Sequence, residues 1–369
     1  MPFHRFSLFP LFLLAALLSS LLAAERRKII IDQDCRGPAT TDLQSVLLLV
    51  QSPSTEVLGI TVVSGDQWRD EEVAHTLRLL EIIGRTDIPV VPGAVFPLIN
   101  NEEEIHRWEK LYGRVGYKGA WNQEPRTEYE GEWAKRRYHP PFFVPPLPEG
   151  DPTTQPAAED APHFLIRMVR RHPHEVTLYA GGPLTNLALA ITLDPHFAEL
   201  AQELVLMGGS INPRGKESEF ADANRREFNF WWDPEAAHIV LRSAWPKVTV
   251  TTVDLSIQTR LRKEMIAEIE KSGTPLARYL ARWADEEYMW DEVAAAAWLD
   301  PSLIRKERSV FMDIDISHGP GYGNTLTWKS GDNPGLGEQE VHVQLELDLE
   351  RFYQLFVDLM SAPTPEAKR

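Results

Sequence analysis

At 369 residues, 43% hydrophobic and 25% charged, the chain has the size and composition of one large α/β domain or two ordinary ones, not of a disordered protein. A formal net charge of −16 argues against nucleic acid as a partner, because phosphates call for a basic surface. Cys35 is the single cysteine, so no internal disulfide is available, and the fold must stand on its core and on any metal it binds.

The first element is a leader. His4 and Arg5 precede the apolar run "LFPLFLLAALLSSLLAA", which ends in small residues before "ERRK" restores charge. Residues 1–24 are therefore expected to be a signal peptide, cut near Ala24, leaving an exported (periplasmic or secreted) chain 25–369 with no stable membrane insertion. The run is short for a membrane span and contains Pro10.

The mature chain then alternates. "KIII" reads as a buried strand and 42–51 as a helix with Leu43, Val46, Leu47 and Val50 on one face. "EVLGITVVSG" is a strand, "EEVAHTLRLLEIIGR" a helix closed by Gly84, and "IPVVPGA" a strand. Residues of about 100–160 break the rhythm with Pro, Glu and aromatics, too many Trp and Tyr for a linker, and read as an excursion inserted into one domain. Alternation resumes with "APHFLIRMVRRHP", "EVTLYAGG", "PLTNLALAITLDP", "ELVLMGGS", "DPEAAHIVLRSA" and "KVTVTTVDLS". Two helical stretches and a closing strand and helix, "EVHVQLELDLERFYQLFVDLMS", complete the chain. Strand–helix alternation predicts an open, mostly parallel, doubly wound α/β sheet.

In such sheets ligands bind outside the carboxyl ends of the strands. Those ends carry Asp32 and Asp34, Gly65 and Asp66, Gly181 to Asn186, Gly208 and Gly209, and Asp254. Carboxylates gathered on one rim repel one another unless they take up protons or hold a hard cation such as calcium. On spacing alone a second reading stays open, in which Asp32 caps a turn and Asp42 caps the helix that follows. Cys35 lacks the context of a nucleophile and reads as a passive small residue.

Taken together, several stretches resemble the inosine–uridine-type nucleoside hydrolases. That family opens with strand–D-x-D-x-G-x-D-D–helix, and residues 28–49 are similar, with Asp32, Asp34 and Asp42 in order. "SGDQW", "GRTDIPVVPGAVFPL", "VTLYAGGPLTNLALAI", "REFNFWWDPEAAHIVLRSAWPKVTVTTVDLS" and "MWDEVAAAAWLDPSL" follow the family's later motifs in order, over nearly the whole mature chain. The resemblance implies a nucleoside hydrolase fold, bound Ca²⁺, and hydrolysis of the N-glycosidic bond of a small nucleoside or riboside. It implies that Asp34 is a calcium ligand and general base, with Asp42, the Gly181 carbonyl and Asp291 as further ligands. It also implies that Asp66, Glu227, Asn229 and Asp291 face the ribose, with Trp290 beside the base. A homo-oligomer is compatible with all of this.

Three positions depart from the family pattern. The adjacent D-D reads Thr41–Asp42 after a longer loop, "CRGPATT". Asp66 stands where the family has Asn. Trp290 replaces a His that protonates the leaving group in some members, and Trp cannot act as an acid. Two other classes compete. A haloacid-dehalogenase-like phosphatase would use Asp32 and Asp34, but Cys35–Arg36 stands where such enzymes want Thr or Val. An exported protein could also hold a ribosyl ligand without cleaving it.

Overall fold

The computed structural model describes residues 26–122, 138–212 and 225–367; the signal peptide expected at 1–24 and part of the excursion lie outside them. Nine strands form one sheet: β1 (Arg27–Gln33), β2 (Thr55–Val62), β3 (Val90–Pro92), β4 (Val176–Ala180), β5 (Glu203–Met207), β6 (Val248–Thr251), β7 (Ile304–Ile314), β8 (Thr325–Trp328) and β9 (Gln339–Leu347). Their spatial order is β3-β2-β1-β4-β5-β6-β9-β7-β8. Every pair from β3 to β9 is parallel, and β7 and β8 add an antiparallel edge. The fold is the open, mostly parallel α/β sheet expected.

Alternate residues of β1 face opposite sides, as strand geometry requires. Ile29 and Ile31 join the core beneath the helices Thr41–Gln51, Pro275–Trp283, Trp290–Leu299 and Leu349–Ser361. Ile30 joins the opposite core with Leu178, Leu206 and Val250, under the helices Ala161–Arg171, Thr185–Leu193 and Pro234–Leu241. A strand covered on both faces needs an unbroken apolar run, and "III" supplies it.

The helix Thr41–Gln51 is buried along its whole length. Its N-cap is Thr40, whose side chain makes no capping bond, so Asp42 sits inside the first turn and is not the cap. This removes one of the two readings open for Asp42. The helix Arg69–Ile83 is closed by Gly84 in the left-handed region (φ 73°) as its sequence predicts.

Two elements differ from expectation. The second of the two helical stretches, "PLARYLARWADEEYMWDEVAAAAWLDPSL" at 275–303, is broken between Trp283 and Trp290, which gives Trp290–Leu299 its own N-terminus. Glu227 ends an extended segment and caps a short helix, Phe228–Trp232, by accepting from the Asn229 and Phe230 amides. Trp231 and Trp232 are buried in a small cluster with Trp68, Ile105 and Trp121.

The sheet reverses winding at one place. From β1 the chain moves to β2 and β3 on one side, and β4 opens the other, so β1 and β4 are parallel neighbours at a switch point. Asp32 is in register with Ala180 there, which puts Asp34 and Gly181 at the mouth of the crevice.

Candidate active site

Asp32 is buried, and its Oδ1 accepts from Thr61 Oγ1 (2.5 Å) and Asn186 Nδ2 (2.8 Å). It ties β1 to β2 and to the helix after β4. Burial pushes its pKa up to about 6, against the two hydrogen bonds. Asp32 is thus a structural anchor.

Asp34 is different. It is 1% exposed, one oxygen accepts from the Asp66 amide (3.0 Å), and Oδ1 has no hydrogen-bond partner among the described residues. Gly65 and Gly182 press against it: a Cβ at Gly65 would overlap Oδ2, and one at Gly182 would overlap Oδ1 and the amide nitrogen. The glycines at these strand ends therefore serve the close approach of one carboxylate. Burial, then the charges of Asp42, Asp66, Glu72 and Asp291, hold the Asp34 carboxyl well above its ordinary range.

Asp42 and Asp291 lie in the first turns of two helices, Thr41–Gln51 and Trp290–Leu299, and both are buried. Asp42 Oδ2 accepts from Thr40 Oγ1 (2.9 Å). Asp291 Oδ2 accepts from Gln33 Nε2 (2.8 Å). The Asp291 amide donates to Thr41 Oγ1 (3.2 Å), whose hydroxyl donates to Glu292 Oε2 (2.6 Å). Burial, the largest cause, raises both aspartates well above the ordinary carboxylate range.

One cation stands among these acids. The buried guanidinium of Arg36 lies 3.0 Å from Asp66 Oδ2, 2.9 Å from Glu287 Oε2 and 3.5 Å from Asp42 Oδ2. Glu287 also accepts from the Thr41 amide (2.8 Å). The remaining oxygen of Asp66 accepts from the Tyr117 hydroxyl (2.7 Å), which the excursion delivers. The excursion is tied down beside it, where the Ala120 amide donates to Gly65 O (2.9 Å).

The remaining candidates lie on the same rim. Asn229 Nδ2 donates to Gly181 O (2.7 Å) and Met207 O (3.1 Å), bridging the ends of β4 and β5. Both Glu227 oxygens accept backbone amides, those of Asn229 (2.8 Å), Gly209 (2.8 Å) and Phe230 (3.1 Å). Burial still lifts the Glu227 carboxyl to about 7. Trp290 opens its helix half-buried, its ring 4.8 Å from that of Tyr288.

The donor set is chemically suited to a hard cation: three buried carboxylates and a carbonyl, all oxygen, with an unsatisfied buried oxygen on Asp34. Among the described residues, however, no three acidic, His or Cys side chains close on a common point at ligating distance. Asp42 and Asp66 are turned to Arg36 instead, and Gly181 O to Asn229.

The sequence did not mark Arg36, Gln33, Glu287 or Glu292 as site residues. The visible signal was the longer loop "CRGPATT", which delivers Arg36. Of the histidines, His139 is buried against Glu71 (2.9 Å). His106 lines a cleft of about 520 Å³ with Trp68, Phe96, Trp121 and Tyr138. Asp34, Asp42, Asp66 and Asp291 do not line that cleft. Burial pushes the Cys35 thiol well up, consistent with a passive residue.

Comparison with known proteins bears on the family and the fold. The family model described as inosine-uridine preferring nucleoside hydrolase matches residues 29–354. The inosine-uridine preferring nucleoside hydrolase of Leishmania major is 28% identical, over 90% of this chain and 97% of that protein. Uridine nucleosidase 1 of Arabidopsis thaliana is 28% identical over 88% and 90%. Among solved structures, a plant nucleoside hydrolase superposes with a TM-score of 0.69 at 23% identity, covering 91% of this chain and 99% of that one. An inosine-uridine preferring nucleoside hydrolase from Bacillus anthracis gives 0.66 at 23%, over 91% and 99%; both are likenesses of fold.

Proposed function

The chain belongs to the inosine–uridine preferring nucleoside hydrolase family, whose members are hydrolases of N-glycosyl bonds, and we propose that it uses Ca²⁺ to hydrolyse a ribonucleoside or related riboside to ribose and free base. The observation that carries this reading is Asp34: a buried carboxylate with an unsatisfied oxygen, at the switch point between β1 and β4, ringed by Asp42, Asp66 and Asp291.

Asp34, Asp42, the Gly181 carbonyl and Asp291 would hold the metal. A bound divalent cation supplies a fixed positive charge that orients a water and vicinal hydroxyls. Asp34 takes the proton of the attacking water. As the bond from C1′ to the base nitrogen breaks, its electron pair leaves with the base and positive charge grows on the ribose. The surrounding carboxylates stabilise that charge. Glu227 and Asn229 hold the rim on which the sugar hydroxyls sit, and Asp66 sets one wall of the site. Export of the chain, suggested by residues 1–24, would place the reaction outside the cytoplasm.

The test is release of ribose from uridine, inosine and p-nitrophenyl riboside by the purified chain, before and after chelation and with calcium restored. The reading expects turnover of at least one substrate, lost on chelation and recovered with calcium. Binding of ribosides without any release of ribose would overturn it.

A further inference from the structure

We propose that Arg36 is a built-in counter-cation that sets how tightly this site takes its metal, holding the carboxylates together in its absence and weakening their grip in its presence. The inference rests on the calcium reading above.

Three observations converge on it. First, the guanidinium forks across three separate chain segments: Asp42 in the helix after β1, Asp66 after β2, and Glu287 before the helix of Asp291. Arg36 is 6% exposed and its three partners are buried or nearly so, so its charge is only weakly screened. Second, the contact with Asp42 is made to a proposed metal ligand, so the guanidinium and the metal draw on the same carboxylate. This gives a physical reason why the described acids do not close on one point.

Third, the departures in this sequence fit together around Arg36. Thr41 removes a carboxylate that the family pattern places here, Asp66 adds one where the pattern has Asn, and Arg36 adds a positive charge. Asp66 is the partner nearest the Arg36 Nη1 (3.0 Å), and the Thr41 amide is held by Glu287, another partner of Arg36. The aspartate gained at 66 is thus taken up by the arginine. Over these three positions the site is one charge less negative than the pattern would make it, and a less negative oxygen cage holds calcium less firmly.

Removing the guanidinium should therefore tighten calcium binding while loosening the metal-free fold. The experiment is calorimetric titration of chelator-treated protein with CaCl₂, together with thermal unfolding with and without calcium. Arg36→Gln is expected to bind calcium at least about tenfold more tightly than wild type, the change that about 1.4 kcal/mol produces. It should also gain more in melting temperature from calcium than wild type does. Arg36→Lys keeps the charge and should stay near the wild-type affinity. Equal or weaker binding by Arg36→Gln would overturn the inference.

Should Arg36→Gln fail to fold, the double variant Arg36→Gln/Glu287→Gln decides. It leaves the local charge balanced yet frees Asp42, so tighter binding than wild type is again expected, and unchanged or weaker binding is again fatal. If neither wild type nor variants take up calcium, the calcium reading itself fails. If all take it up equally, calcium stands and only the role of Arg36 falls.

Discussion

The Tyr117 hydroxyl donates to Asp66 Oδ1 across 2.7 Å, fastening the excursion to the rim of the sheet at the residue that also anchors Arg36. Both residues are buried, and the Tyr117 ring packs 4.8 Å from Phe228, beside Asn229. The inserted segment is thus a wall of the site.

Tyr117→Phe removes one donor to a buried carboxylate and leaves the ring in place. A bond of this kind is worth on the order of 1–3 kcal/mol once the stranded acceptor is counted. Urea denaturation should show a loss in that range. A double-mutant cycle with Asp66→Asn should give a coupling above about 0.5 kcal/mol. Strict additivity would show that the contact contributes nothing measurable.

Asp34→Asn separates stability from function. The wild-type carboxyl is held far above its ordinary range by burial and by four neighbouring acids, so its ionised form is costly when no metal neutralises it. The amide removes that charge. Turnover should fall by about 10²–10⁴-fold, the usual loss of a positioned base. In chelator the variant should melt no lower than wild type. A near-native rate would displace Asp34 from the chemistry.

Why some of this was legible in the sequence and some not has a physical basis. The run Ile29–Ile31 announces a strand buried on both faces, and the helices flanking the parallel strands have clear periodicity. Asp34, Asp42, Gly181 and Asp291 lie on those strand ends and helix starts, so topology brings them to one rim of the sheet. β7 escaped because its first half, "IRKERS", is charged and largely exposed; β9 pairs with it on one side while β8 meets only Phe311–Ile314, so that half lacks the two-sided apolar run. The helix Phe228–Trp232 is too short for periodicity to reveal, and its cap is a Glu, outside the residue types that usually mark a helix start. Arg36 carries no pattern at all. Its meaning depends on three acids that lie 6, 30 and 251 residues further along the chain, at 42, 66 and 287.

Asp233 offers a pH test away from the proposed metal site. It is fully buried, caps the helix Pro234–Leu241 through the Ala236 amide, and accepts from Thr185 Oγ1 and the Leu98 amide. Burial lifts it from 3.8 to about 6. The folded state therefore holds this proton more tightly than the unfolded chain. The associated stability is fully present below pH 3.8 and is lost as pH rises through about 6. That displacement amounts to roughly 3 kcal/mol at ~1.36 kcal/mol per pH unit. Asp233→Asn cannot titrate, and it loses one acceptor at every pH. The stability of wild type minus that of the variant should thus decline between pH 4 and 7. A difference constant with pH would place the titration elsewhere.

Trp290 stands where the resemblance places the leaving base. It opens the helix that carries Asp291, pairs with Tyr288, and has no acidic proton to give. A purine or pyrimidine departs far more readily when protonated, whereas p-nitrophenolate departs without help. A general acid is worth about 10²–10⁴-fold, so kcat/KM for p-nitrophenyl riboside should exceed that for inosine by a margin of that order. Trp290→His should narrow the gap by raising the inosine value, with Tyr288, whose ring packs against that of Trp290, beside the new imidazole. Comparable values for the two substrates in wild type would mean that another group delivers the proton. Tyr117, already at Asp66, would be the first to examine, and Tyr117→Phe would then lower the inosine rate while sparing p-nitrophenyl riboside.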